Sequence, residues 1–416
     1  MNRHLEVTPS DWIPQNSIIK VIGVGGGGCN AVNYMYNQKI EGCTFIVTNT
    51  DAQALEKCDV PIKLKIGNLG AGTNPTEGRN AALDHQDLIA ETVINSGTDM
   101  LFITAGMGGG TGTGAAPVIA AMAKEKGILT VGVVTLPFKS EGNEAMSKAV
   151  DGINELKKNV DSLLIINNEK LYDYYGDLLI QDAFPKADEV LATAVKGIIE
   201  IITHSGFVNV DFKDVKTMMK NSGMALLGCG VGSGENRLED AVKQALESPL
   251  LNDFDLKTAQ NVLINITAGR NDEGLLMKEL EKINQLIQGY TGNANNFKRG
   301  IVYNDSPDWG DKVQITVIAT GFNASQLDDF TESNLGNVIN IDNDYVYDMQ
   351  KKGKSEGIEL EDIRSEKIGF NDPSARKALV FDEVPTLIVD PGVNRSDLEN
   401  IAAIRRKAKR NAKREE

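Results

Sequence analysis

Paired cysteines, clustered histidines, long apolar runs and a surplus of positive charge are all missing from this chain. Its 416 residues hold four cysteines, Cys29, Cys43, Cys58 and Cys229, and none forms a C-x-x-C pair. The three histidines, His4, His85 and His204, are scattered. That spacing argues against a zinc site or a disulfide framework and reads as thiols in a reducing cytoplasm. No Ser-His-Asp or Cys-His grouping supplies a covalent nucleophile. No apolar run nears the ~18 residues of a membrane span, and the N-terminus lacks a signal-peptide pattern, so a cytoplasmic location is expected. Lys and Arg total 43 against 58 Asp and Glu, a net charge of −15. This deficit argues against nucleic acid as a partner and predicts a chain that repels itself weakly and needs cations to assemble. A Walker A loop is absent too, because Gly353-Lys354-Ser355 lacks the required glycine five positions earlier.

Glycine, by contrast, is plentiful, with 41 residues. Residues 100–114 read MLFITAGMGGGTGTG, with five glycines and two threonines in 108–114. An apolar strand is followed by a glycine loop and then by a helix over 115–126, with Pro117 in its first turn and Gly127 just past its end. Backbone N–H groups in such a loop close around an anion, and the helix N-terminus adds free N–H groups and partial positive charge. Thr111 and Thr113 offer hydroxyl donors besides. A plain turn needs only one or two glycines. Without a P-loop lysine, phosphates must be held mainly by backbone N–H groups and a metal ion.

Strands are predicted at 18–24, 44–48, 100–105, 129–134 and 162–166, alternating with helices, and strand-like runs recur at 262–266 and 313–320. The pattern implies an α/β fold with a mainly parallel sheet flanked by helices. Ligands of such sheets bind beyond the carboxyl ends of the strands. That rule places 25–28, 49–53, 70–73, 108–114 and 137–142 on one rim, enough to enclose a nucleotide. Residues 187–203 carry apolar positions at helical spacing and read as a central core helix. The loop 207–214, FVNVDFKD, follows with Asn209, Asp211 and Asp214, which on spacing alone read first as a solvated loop with a helix cap. The expected division is an N-terminal arm at 1–17, a nucleotide domain at 18–186, the core helix and acidic loop at 187–224, and an α+β domain at 225–322. A linker at 323–396, polar and of mixed charge, and a tail at 397–416 complete it. Gly23-x-Gly25-x-x-Gly28 with Asp51 downstream also satisfies a dinucleotide-binding fingerprint, which keeps an NAD(P) oxidoreductase open as an alternative.

Several stretches together resemble the FtsZ family, the tubulin-like GTPases of bacterial cell division. They are GVGGGGCNAVN (23–33), TNTDAQAL (48–55), GAGTNPTEGRNAA (70–82), AGMGGGTGTGAAPVIA (105–120) and NVDFKDV (209–215). SPLL (248–251), NITAG (265–269) and ATGF (319–322) extend the likeness over 18–322. The resemblance implies a tubulin-like GTPase fold, a second domain on a four-stranded sheet and a flexible C-terminal tail. It also implies GTP/GDP and Mg2+ as ligands, and head-to-tail filaments that form the division ring at midcell, near the inner face of the membrane. Position by position, Gly25, Gly26 and Gly27 match the first phosphate loop and Asn30 a guanine contact. Ala71, Gly72 and Thr73 match the loop near the γ-phosphate. Gly108, Gly109, Gly110, Thr111, Gly112 and Thr113 match the main phosphate cradle, and Glu141 the ribose contact. Phe184 is expected to pack on the base, and Asp188 to accept hydrogen bonds from guanine N1 and N2. Asn209, Asp211 and Asp214 match the N-x-D-x-x-D loop that enters the next subunit's pocket, where the acids orient the attacking water. No residue is assigned to a protein metal site.

The chain departs from the family pattern twice. The usual Phe-Glu-Gly-x-x-Arg reads Ser140-Glu141-Gly142-Asn143-Glu144-Ala145, so an arginine that normally reaches the nucleotide is replaced by Ala145. Slow hydrolysis is the expectation, with Lys139 or Lys148 as partial substitutes, and a nucleotide-gated scaffold that scarcely hydrolyses is the second alternative. The family's tail peptide for membrane-tethering division partners has its nearest counterparts in DLENIAAIRR (397–406) and DEVPTL (382–387). The basic cluster at 405–414 is a candidate for weak contact with anionic lipid.

Overall fold

The computed structural model describes residues 18–322 except 96, 171–178, 204–206, 209, 248–255, 273, 293 and 307–308, together with 338–341 and 345–348. Contacts divide the chain into two units, Met1–Leu335 and Gly336–Glu416. In the second unit, Val338–Ile341 and Tyr345–Asp348 pair as two antiparallel strands. No helix among the described residues is long and apolar enough to cross a membrane.

The first unit opens with β1 (Ile19–Val24), α1 (Gly25–Asn37), β2 (Thr44–Asn49), α2 (Ala52–Glu56), β3 (Ile62–Lys65) and α3 (Pro75–Asp84). After a short helix, α4 (Gln86–Ile89), come β4 (Met100–Gly106), α5 (Thr111–Glu125), β5 (Leu129–Leu136), α6 (Asn143–Lys157) and β6 (Ser162–Asn167). These six strands are parallel in the order β3-β2-β1-β4-β5-β6. β1, β4 and β5 are apolar runs because both faces of the sheet are covered. Period two divides their side chains. Val21, Met100 and Phe102 face α1 and the long helix described next. Ile22, Leu101 and Ile103 face α5 and α6.

The long helix is α7 (Ile180–Thr203), and α8 (Phe212–Met219) follows it. Leu191, Ala194, Val195 and Ile198 of α7 are buried against the sheet, as their spacing predicts. The remaining elements are β7 (Gly223–Gly232), α9 (Arg237–Leu246), β8 (Asn261–Gly269), α10 (Met277–Thr291), β9 (Asn296–Asn304) and β10 (Val313–Thr320). They form a mixed four-stranded sheet, β7-β10-β8-β9, with only β8 and β9 parallel. The two sheets join where β6 and β7 pair over two positions, Ser162↔Gly223 and Leu163↔Met224. The expected boundary at residue 225 therefore falls inside a strand.

Two helix starts differ from the sequence reading. α5 begins at Thr111, not 115, so Pro117 lies in its second turn, where the Thr113 carbonyl loses its usual intrahelical donor. α7 begins seven residues before the expected 187, at Ile180.

Candidate functional site

The two glycine runs meet back to back. Gly25 takes φ 74°, open to glycine at no cost, and a methyl group there would lie 2.8 Å from the Gly112 nitrogen. A methyl on Gly27 would lie 3.3 Å from Gly106 Cα, and one on Gly112 would lie 2.5 Å from the Gly106 carbonyl oxygen. Glycine at these positions lets the N-termini of α1 and α5 lie side by side. Neither N-terminus has a side-chain cap. The neighbouring α2 and α3 are capped by Asp51 and Asn74. Two sets of uncapped N–H groups thus converge with their partial positive charges, the arrangement that binds a polyanion.

Around this centre, Gly26, Gly72, Gly109 and Gly142 have nothing within 4 Å of where a methyl would stand, so they border open space. Gly26, Gly27, Asn30, Gly72, Thr73, Gly109 and Glu141 are exposed along the same rim, while Ala71 is buried behind it. The loop that carries Ala71 packs on the cradle, since a methyl on Gly110 would lie 2.7 Å from Ala71 Cβ. Gly108 is tight against the 137–145 segment: its methyl would lie 2.9 Å from the Ala145 carbonyl oxygen.

The cradle threonines are turned inward. Thr113 Oγ1 accepts from the Gly108 N–H at 2.9 Å, and the Thr111 and Thr50 hydroxyls pair at 2.6 Å. Both Thr111 and Thr113 are buried, so their hydroxyls brace the loop from within. Glu141 Oε1 accepts from the Phe138 N–H at 2.8 Å, which fixes the turn that carries it. Asp51 Oδ1 accepts from Gln53 and Ala54 N–H groups, at 2.9 and 3.3 Å. One oxygen of its carboxylate therefore caps α2.

Of the two candidate lysines, Lys148 reaches the rim. Its Nζ donates to the Thr73 carbonyl at 3.1 Å and pairs with Glu144 at 2.6 Å. Lys139 contributes a backbone N–H to Glu169. Asp188 is half-buried on α7, which packs against α1, and burial pushes its carboxyl up to about 6. Phe184 lies one turn earlier on α7, its side chain outside the described residues.

Asp211 and Asp214 stand beyond the opposite end of α7. Asp211 caps α8 by accepting from the Asp214 N–H at 2.7 Å. Asp214 Oδ1 pairs with Lys298 Nζ at 3.0 Å. The sequence reading missed Lys298; its signal was a charged pair, Lys298-Arg299, interrupting a strand-like run. Asn209 lies outside the described residues. No group of three or more His, Cys, Asp or Glu able to hold a metal occurs among the described residues.

The GTPase domain of the Tubulin/FtsZ family matches residues 18–176, and the C-terminal domain of the FtsZ family matches 223–323. The cell division protein FtsZ of Pseudomonas putida is 49% identical over 320 residues, 76% of this chain and 79% of the relative. That of Buchnera aphidicola (subsp. Schizaphis graminum) is 43% identical over 382 residues, 90% of this chain and 97% of the relative. The FtsZ dimer of M. jannaschii superposes with a TM-score of 0.67 at 38% identity, over 76% of this chain and 93% of that one. CetZ1 of Haloferax volcanii, 18% identical with a TM-score of 0.65 over 76% of this chain and 98% of its own, shares the fold. With both domains matched in order and such identity across most of its length, the chain belongs to the FtsZ family of tubulin-like GTPases.

Proposed function

We propose that this chain binds GTP on the glycine rim and hydrolyses it only when a second copy docks head to tail and brings Asp211 and Asp214 over the γ-phosphate. One observation carries the reading. Asp188 and the acidic loop lie toward opposite ends of α7, a helix of 24 residues. About 23 Å of helix separates Asp188 from Thr203, so one molecule cannot close both halves on one nucleotide. A heterologous contact of this kind propagates into filaments.

In the assembled site, backbone N–H groups at Gly25–Gly27, Gly109 and Gly110 hold the phosphates, while the Gly108 N–H is taken by Thr113 Oγ1 and shapes the loop from within. Ala71, Gly72 and Thr73 flank the γ-phosphate, Glu141 takes the ribose, and Asn30, Phe184 and Asp188 hold the guanine. Asp188 accepts from N1–H and N2–H, a pair of donors adenine does not offer. Asn209, Asp211 and Asp214 of the docking copy orient and polarise the attacking water. Among the described residues no cluster of three or more His, Cys, Asp or Glu would hold a metal, so Mg2+ would be held chiefly by the triphosphate and would supply charge neutralisation there. Ala145 leaves hydrolysis slow, and Lys148, poised on Thr73, partly replaces the missing cation. The functional divisions are 18–186, 187–224 and 225–322. The segment 397–406 docks membrane-tethering division proteins and 405–414 touches anionic lipid, which holds the filaments at the inner membrane face of the division site.

The test is phosphate release with Mg2+ and GTP against protein concentration. Turnover per molecule should be near zero at low concentration and rise steeply past a threshold, with light scattering rising in step. Turnover per molecule independent of concentration overturns the reading. The Asp211→Ala and Asp214→Ala variants should keep GTP binding and lose turnover.

A further inference from the structure

The acidic loop is held by an edge strand. β9 pairs with β8 on one side only. On its other side the Phe207 N–H donates to the Ile301 carbonyl at 2.8 Å, and the Ile301 N–H donates to Val208 at 3.0 Å. Alternation along β9 places Lys298 and Gly300 on one face. Gly300 lies under the loop: a methyl there would stand 3.3 Å from Val210 Cγ2. Two residues back on that face, the half-exposed Lys298 meets Asp214 Oδ1 at 3.0 Å.

We propose that Lys298 is a positioning residue for hydrolysis in the neighbouring subunit. It fixes the Asp214 carboxylate in the orientation presented to the γ-phosphate and carries positive charge into a contact between two acids and a triphosphate. This rests on the head-to-tail reading above. The electrostatic need is specific to this chain. Asp211 and Asp214 are like-charged with the phosphates they approach, and Ala145 leaves the nucleotide side short of a cation. Lys298 supplies one from the other side of the contact. Asp211 is pinned by its own helix and Asp214 by Lys298, so both acids are set before docking, which is how a split site avoids ordering its groups at the moment of reaction.

The pair is 52% and 32% exposed, and exposed pairs of this kind add little to folding stability. Lys298→Gln in the full chain should therefore fold and bind GTP as the parent does at concentrations below assembly. Phosphate release per sedimented subunit should fall about ten- to a hundredfold, with KM for GTP unchanged. Lys298→Arg, which keeps charge and reach, should recover most of that loss. Three outcomes overturn the role of Lys298: Lys298→Gln turnover within twofold of the parent, an arginine variant as slow as the glutamine variant, or a glutamine variant that never sediments. In each of them the parent still shows concentration-dependent turnover. A parent chain without concentration-dependent turnover overturns the head-to-tail reading itself, and this role with it.

Discussion

Asp188 carries a pH signature. Burial raises its carboxyl to about 6 in the free chain. In the proposed guanine contact, accepting from N1–H and N2–H requires the ionised form, so bound GTP would lower that value. Proton and nucleotide therefore compete: affinity is full above the free-chain value and is lost as pH falls through about 6, by about tenfold per unit at the limit. Calorimetric titration with GTP at low protein concentration, between pH 5 and 8, reads this directly, and Asp188→Asn should flatten the profile. The close approach of the two glycine runs was marked in the sequence by their density, because glycine in such number has few structural uses. Asp188 is singled out only through family likeness, since one carboxylate on an apolar helix has no local mark. Lys298 was marked only by the charged pair it makes with Arg299, because its meeting with Asp214 depends on β9 and α8 coming together in the folded chain.

At the scale of elements, the glycine runs divide by what surrounds them. A methyl on Gly28 would run into the Thr104 carbonyl oxygen, whereas one on Gly26 meets nothing. Gly28→Ala must lift α1 off β4, at a cost of about 1–3 kcal/mol, read as a lower denaturant midpoint without nucleotide. Gly26→Ala should leave that midpoint unchanged or slightly raised, because alanine favours a helix, yet lose GTP affinity by filling phosphate space. The same close packing explains why α5 starts earlier than its sequence suggests. Glycine disfavours helix, but Gly112 and Gly114 are where the helix backbone touches Gly106 and Pro75, and tertiary contact overrides propensity. β3, β7 and β9 escaped the sequence reading for related reasons. β7 carries glycines because methyls at Gly230 and Gly232 would strike the backbone of α9. β3 and β9 are outer strands whose lysines and arginine break the apolar pattern.

For the whole molecule, the net charge of −15 sets a repulsion that assembly must overcome. Raising monovalent salt from about 10 mM to about 150 mM shortens the screening length from ~30 Å to ~8 Å. The concentration at which GTP triggers scattering should fall over that range; a threshold that rises instead would mean attraction across the contact outweighs the overall charge. The parallel sheet followed from alternating strands and helices, and the central helix from apolar spacing over 187–203. The joining of two sheets into one of ten strands did not, because it rests on a two-residue pairing between β6 and β7 that no local pattern marks.

If a second copy completes the site as proposed, placing the two half-sites toward opposite ends of α7 would give any row of these molecules a lasting asymmetry. Such a row of n copies would have only n − 1 complete sites. At one terminus the last copy would keep its GTP uncut for want of a companion, while at the other a pair of acids would face water. Every break in the row would silence one site and every new arrival would revive one, so growth at the first terminus would start the clock on the nucleotide it covers.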